Sequence, residues 1–146
     1  MSAIVPSAAD DLVGAYLGAL ARGDVAGVLR LFAPDAVVHS PLYGPRPARE
    51  FYPALFADTG SSRLIPRGTT EGRTVDGGRL VAFWFGFDWT LASGAPAPFD
   101  VVDLAELDAD GRIATLRIVY DTVTVRPAFE AETGTSHRAD PARPEG

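Results

Sequence analysis

From Arg63 onward, apolar and polar residues alternate with a period of two through four stretches, 63–75, 79–92, 97–107 and 112–125. The turn signals Asp76-Gly77-Gly78, Ser93-Gly94 and Asp110-Gly111 separate them, which predicts an antiparallel meander. The stretches are long beside an ordinary strand of about 5–6 residues, and long strands in a small sheet twist, curl and take up bulges. A chain of 146 residues has room for one core, so a strongly curved sheet must form one wall of it.

Ahead of the meander the period is helical. Ser7 and Asp10 form a capping-box pattern, and Leu12, Val13, Tyr16, Leu17 and Leu20 recur at helical spacing until Gly23 stops them. Asp24 caps a shorter helix with Val25, Val28, Leu29 and Phe32 on one face, closed by Pro34. A short strand is expected over 36–40 and a Pro- and Gly-rich loop over 41–47. Pro47 suits the first turn of a third helix that runs to about Ala57 and is kinked or split by Pro53. Helices followed by a curled, mainly antiparallel sheet predict an α+β cone in which three helices cover the concave face and leave an internal pocket. Leu12, Leu20, Val28, Phe32, Phe51 and Leu55 are its expected core. Residues 1–125 form this single domain, and 126–146, polar and rich in Pro, Glu and Ala, read as a C-terminal tail.

On the strand over 79–92, Phe83, Phe85, Phe87 and Trp89 share one parity, and Ala82, Trp84, Gly86 and Asp88 the other. Both faces are therefore partly apolar, and a homodimer through the outward face is expected.

Composition removes several chemistries. Without cysteine there are no disulfides, thiolate metal sites or thiol nucleophiles; all 13 basic residues are Arg, so Schiff-base chemistry is gone. His39 and His137 are the only histidines, too few for a three-His zinc site, and no nucleotide fingerprint occurs, so neither metal nor cofactor is expected. A net charge of -6 opposes binding to nucleic acid. No apolar run spans a bilayer and the first residues lack a signal pattern, so the expected location is the cytoplasm.

The segment from Tyr16 to Asp24, with Leu31-Phe-Ala-Pro-Asp35, Val38-His-Ser-Pro41 and the run from Asp103 to Ile113, resembles the nuclear transport factor two-like superfamily. Ketosteroid isomerases and SnoaL-like polyketide cyclases are members, and the resemblance covers Asp10 to about Val125. It implies that Tyr16 falls at the helix-one tyrosine that donates to a substrate oxyanion. Asp103 falls at the position of the protonated carboxylic acid that donates the second hydrogen bond. Where the isomerase pattern places its catalytic Asp, immediately before Pro41, this sequence has Ser40. A neutral hydroxyl is a poor base, which leaves His39 as the candidate replacement if a bulge turns it inward. Trp84, Phe85, Leu116, Ile118 and Tyr120 are the expected substrate-lining side chains.

Each candidate has a plainer alternative: Tyr16 as a core tyrosine, Asp103 as an edge carboxylate paired with Arg117, and His39 as a structural or interface residue. Asp88 approaches the pocket if its parity faces inward and is otherwise exposed near the strand end; for Asp121 the choice is between the pocket mouth and a pair with Arg126, and the pair is expected. Three functions follow. The first is an isomerase or cyclase that binds a hydrophobic, polyketide- or steroid-like carbonyl compound. The second is a non-catalytic ligand-binding or dimerisation module, and the third, minor one is acid-catalysed epoxide opening.

Overall fold

The computed structural model describes residues 7–134. The chain runs α1 (Ala8–Arg22), α2 (Val25–Leu29), β1 (Phe32–Ser40), β2 (Gly44–Pro47), α3 (Ala48–Ala57), β3 (Thr59–Arg73), β4 (Arg79–Leu91), β5 (Phe99–Leu107), β6 (Ile113–Val119) and α4 (Val125–Thr133). The strands make one six-stranded sheet in the order β2-β1-β6-β5-β4-β3, in which β3 to β6 form the expected meander. Among the described residues only β1 and β6 pair in parallel. The α+β class holds, with an open, curled sheet and four helices instead of three.

The capping box at the start of α1 is formed on both sides: Ser7 Oγ accepts from Asp10 N, and Asp10 Oδ2 accepts from Ser7 N, each at 3.1 Å. This satisfies two amide donors that would otherwise lack partners. The inner stripe of the helix, including Val13, Tyr16, Leu17 and Leu20, is buried, whereas Leu12 lies at its margin.

Prolines mark four departures from the sequence reading. Pro34 does not end a helix: α2 stops at Leu29, and Pro34 lies in β1, where the register against β6 shifts between Phe32 and Val37. Proline is tolerated at such irregularities because no ladder hydrogen bond is required of it. Residues 44–47, expected in a loop, form β2, which holds Pro45 and Pro47 because it is an edge strand. Pro47 is accordingly the cap of α3, not its first-turn residue, and Pro53 leaves that helix continuous. Its missing amide costs one hydrogen bond, while Phe51, Tyr52 and Leu55 stay anchored in the core.

Which parity of β4 faces inward is decided by magnitude. Burying Phe83, Phe85, Phe87 and Trp89 is worth about 1.5–3 kcal/mol per side chain, whereas the other parity offers two large apolar groups, Leu80 and Trp84, and would bury Asp88. The odd-numbered residues from Val81 to Leu91 are inside and Trp84 is half exposed. On β6 the alternation breaks: Ile113 and Leu116 are both buried because the β5–β6 register slips between Glu106 and Leu107.

The boundary expected at Val125 is also corrected. That residue opens α4, a nine-residue helix whose Val125 and Phe129 are fully buried. Its sparse apolar residues, four apart, were hidden in a polar composition. The remainder of the expected tail, with His137, lies outside the described residues.

Candidate functional site

A cavity lies between α1, α3, the β1–β2 turn and the concave face of β4, β5 and β6. Its walls are mostly hydrocarbon, with Leu20, Phe51, Leu55, Phe85, Phe87, Trp89 and Val101 prominent. Five polar side chains reach it: Tyr16, Ser40, Tyr43, Asp103 and Tyr120. The space open to the centre of a water-sized sphere is about 30 Å³.

At the deep end, α1 supplies Tyr16 and β5 supplies Asp103. The Tyr16 hydroxyl lies 2.8 Å from that of Tyr52 on α3, and both rings are buried. Tyr52 does not line the cavity; if it donates to the Tyr16 oxygen, the Tyr16 proton is left to point into the cavity. Burial raises the pKa of Tyr16 well above its ordinary value, and the charge of Asp103 raises it further. The hydrogen bond with Tyr52 works in the opposite direction for Tyr16, but raises the pKa of Tyr52 itself, as expected of a phenol that donates.

Asp103 pairs in register with Phe83 on one side and Ile118 on the other, and is 1% exposed. Its Oδ1 is buried without a hydrogen-bond partner in the protein. Desolvation pushes its carboxyl well above the ordinary value of 3.8. The apolar surroundings disfavour the charged form, and a carboxyl in its neutral form carries a proton that it can donate. Arg117 is no partner for it, since that guanidinium lies 3.9 Å from Glu106 on the outer face.

Ser40 is buried and lines the cavity, and its Oγ accepts from Leu42 N at 3.2 Å and Tyr43 N at 3.3 Å. It therefore organises the turn into β2, where Gly44 takes φ of 73°, a conformation that favours glycine. His39 is not brought to the cavity. The bulge that could have reversed β1 falls near Pro34, so simple alternation places His39 opposite Ser40, beside Arg117. Partial burial, then the Arg117 charge, lowers its pKa, with Glu106 opposing.

Of the side chains expected to line the cavity, Phe85, Ile118 and Tyr120 lie on it and two do not. Trp84 lies on the convex face, with the Arg67 guanidinium 5.7 Å from its ring centroid. Leu116 is fully buried in the core, one inward position deeper than Ile118, and does not reach the cavity. Asp88 and Asp121 are exposed, and Asp121 Oδ1 accepts from Val123 N at 2.9 Å.

Sequence reasoning missed Tyr52, Tyr43 and Trp89 as parts of this site. Tyr43 donates to Asp58 Oδ2 at 2.6 Å, and burial followed by that bond raises its pKa. Trp89 Nε1 donates to Thr59 Oγ1 at 2.8 Å, fixing the indole against the wall. The helical spacing of Phe51, Tyr52 and Leu55 was a usable signal for Tyr52; nothing local announced the other two.

The family model for a SnoaL-like domain matches residues 13–116, the span that includes Tyr16 and Asp103. The chain belongs to the SnoaL-like family. A steroid Δ-isomerase of Nocardioides simplex is 30% identical to this SnoaL-like chain over 125 residues, 82% of the chain and 92% of the relative. TerC, co-crystallized with polyporic acid, superposes with a TM-score of 0.67 at 22% identity, covering 85% of this chain and 99% of TerC. The epoxide hydrolase/cyclase-like enzyme SalBIII, described for pyran ring formation in salinomycin, gives 0.64 at 18% identity over 80% of this chain and 92% of its own. An NTF2-like protein of unknown function from Exiguobacterium sp. 255-15 also gives 0.64 at 18%, covering 75% and 98%. At these identities the solved structures show a shared fold alone.

Proposed function

We propose that the cavity stabilises the oxyanion of a hydrophobic carbonyl compound of steroid or polyketide type, with Tyr16 and Asp103 as the two donors. The observation that carries this reading is a fully buried carboxyl, one oxygen of which has no hydrogen-bond partner among the described residues, in the same apolar cavity as a tyrosine hydroxyl. In such a low-dielectric site two preset donors favour an enolate or phenolate far more than water-exposed donors would. The relationship to a steroid Δ-isomerase supports the carbonyl class.

Ligand binding without proton transfer is the second reading, favoured by a specific feature of the cavity. Among the described residues no carboxylate other than Asp103 lines it, Ser40 accepts two backbone hydrogen bonds, and His39 faces away. A proton removed from carbon therefore has no evident acceptor.

Titration with substituted phenols, which mimic the enolate, tests the shared part of both readings. Asp103→Leu and Tyr16→Phe should each weaken binding by about tenfold or more, the loss of one hydrogen bond to a charged group. Unchanged affinity in both variants would overturn the oxyanion pocket. Turnover of an unconjugated ketosteroid by the unmodified protein would decide for catalysis.

A further inference from the structure

A dry apolar cavity of about 150 Å³ binds benzene. The space beside Tyr16 and Asp103 is about 30 Å³, far less, so a ring compound calls for a wall to move. The walls differ in how firmly they are held. The sheet is tied by continuous ladders, α1 buries six residues, and α3 buries four and is joined to α1 by the Tyr16–Tyr52 hydrogen bond. The helix α4 buries two residues and has no side-chain hydrogen bond at its N-cap. It is nevertheless placed against the cavity: the buried Phe129 ring lies 5.2 Å from Tyr43 and 5.8 Å from Trp89, both lining residues. Polar contacts fasten its two ends. Arg126 Nη2 donates to the Pro41 carbonyl at 2.7 Å, next to Ser40, and Glu132 accepts from both the backbone and the hydroxyl of Ser93.

We propose that α4 is the movable wall of the ligand cavity and that Phe129, wedged behind Tyr43 and Trp89, sets the size of ring the cavity admits. The proposal rests on the oxyanion-pocket reading for the identity of the ligand, but not for the motion. Elements with few buried contacts open first, and a ligand that needs the open form binds more weakly in proportion to the time the protein is closed. Loosening the wedge should therefore tighten binding, the reverse of what trimming an ordinary core residue does.

The test uses the full chain, with phenol and 2-naphthol as one- and two-ring probes, followed by tryptophan fluorescence in stopped flow. Phe129→Leu and Arg126→Gln should bind 2-naphthol about tenfold more tightly than the unmodified protein and reach it faster. Val28→Ala, a fully buried change on α2 away from the cavity, should give no such gain. Equal or weaker binding in both α4 variants, or the same gain from Val28→Ala, would overturn the proposal. Hydrogen exchange of the ligand-free protein separates the two readings. Amides of α4 should exchange faster than those of α1 and α3, and equal protection would remove the movable wall even if phenols bind. Faster exchange with no phenol binding would instead remove the oxyanion pocket.

Discussion

Asp103 makes its burial visible in the pH dependence of stability. Its folded-state pKa is raised, so below the unfolded value of 3.8 both states are protonated and burial exacts no ionisation penalty. As pH rises above that value the unfolded chain releases a proton that the folded one retains. Stability then falls by about 1.4 kcal/mol per pH unit until the folded group also ionises. Asp103→Asn removes this dependence. Its stability relative to the unmodified protein should rise as pH climbs above the unfolded value of 3.8 and show no trend below about pH 3, in urea titrations run across the range. Ser40 is the second informative residue. A carboxylate there could accept the same Leu42 and Tyr43 amides, so Ser40→Asp should fold while placing a base on the cavity wall. General-base catalysis contributes about 10²–10⁴-fold, and a rise in isomerisation of a bound ketosteroid is the expected outcome, absent in an Asp103→Leu background. No rise on any ketosteroid that binds would mean the cavity lacks more than its base.

Among the secondary-structure elements, the β3–β4 hairpin does more than close the sheet. Its register shifts between Thr59 and Ser61, and a β-carbon on Gly60, between them, would lie 2.6 Å from the Leu91 carbonyl oxygen. The bulge sets Thr59 so that its hydroxyl donates to Leu55 O at 2.6 Å and accepts from the Trp89 indole, linking α3 to the cavity wall. Gly60→Ala should cost about 1–3 kcal/mol through this overpacking and alter Trp89 fluorescence in the folded state. Chemical denaturation measures the first and an emission spectrum the second. An unperturbed indole would separate the bulge from the site.

Taken as a whole, the molecule leaves one face of its sheet wet. Trp84 pairs with Val102 and Val102 with Val119, a row across β4, β5 and β6 that is 50%, 36% and 55% exposed. Contiguous apolar surface of this kind marks an interface, and a second copy of the chain is the expected cover. Sedimentation of the protein at micromolar concentration should show a dimer that Val102→Glu dissociates, since a charge at the centre of a buried row is left unpaired. A monomeric unmodified protein would contradict the dimer.

The first three helices, β1 and the meander were legible in the sequence, because they rest on periodicity, caps and turns, all local properties, whereas Tyr16 and Asp103 were singled out through the family resemblance. A period of two also settles relative parity, which is why Ser40 and His39 could be placed on opposite faces of β1 before the inward face was known. The inward choice itself, which removed Trp84 from the site and gave it Trp89, came only from packing β4 against the helices. Tyr52 joined Tyr16, and β1 joined β6 in parallel, through contacts between residues far apart in the chain. Helix α4 escaped notice because two buried side chains in a polar segment leave almost no periodic signal. What remained for the tertiary structure to decide was the free volume beside Asp103, since a void is the difference between wall positions and no single segment encodes it.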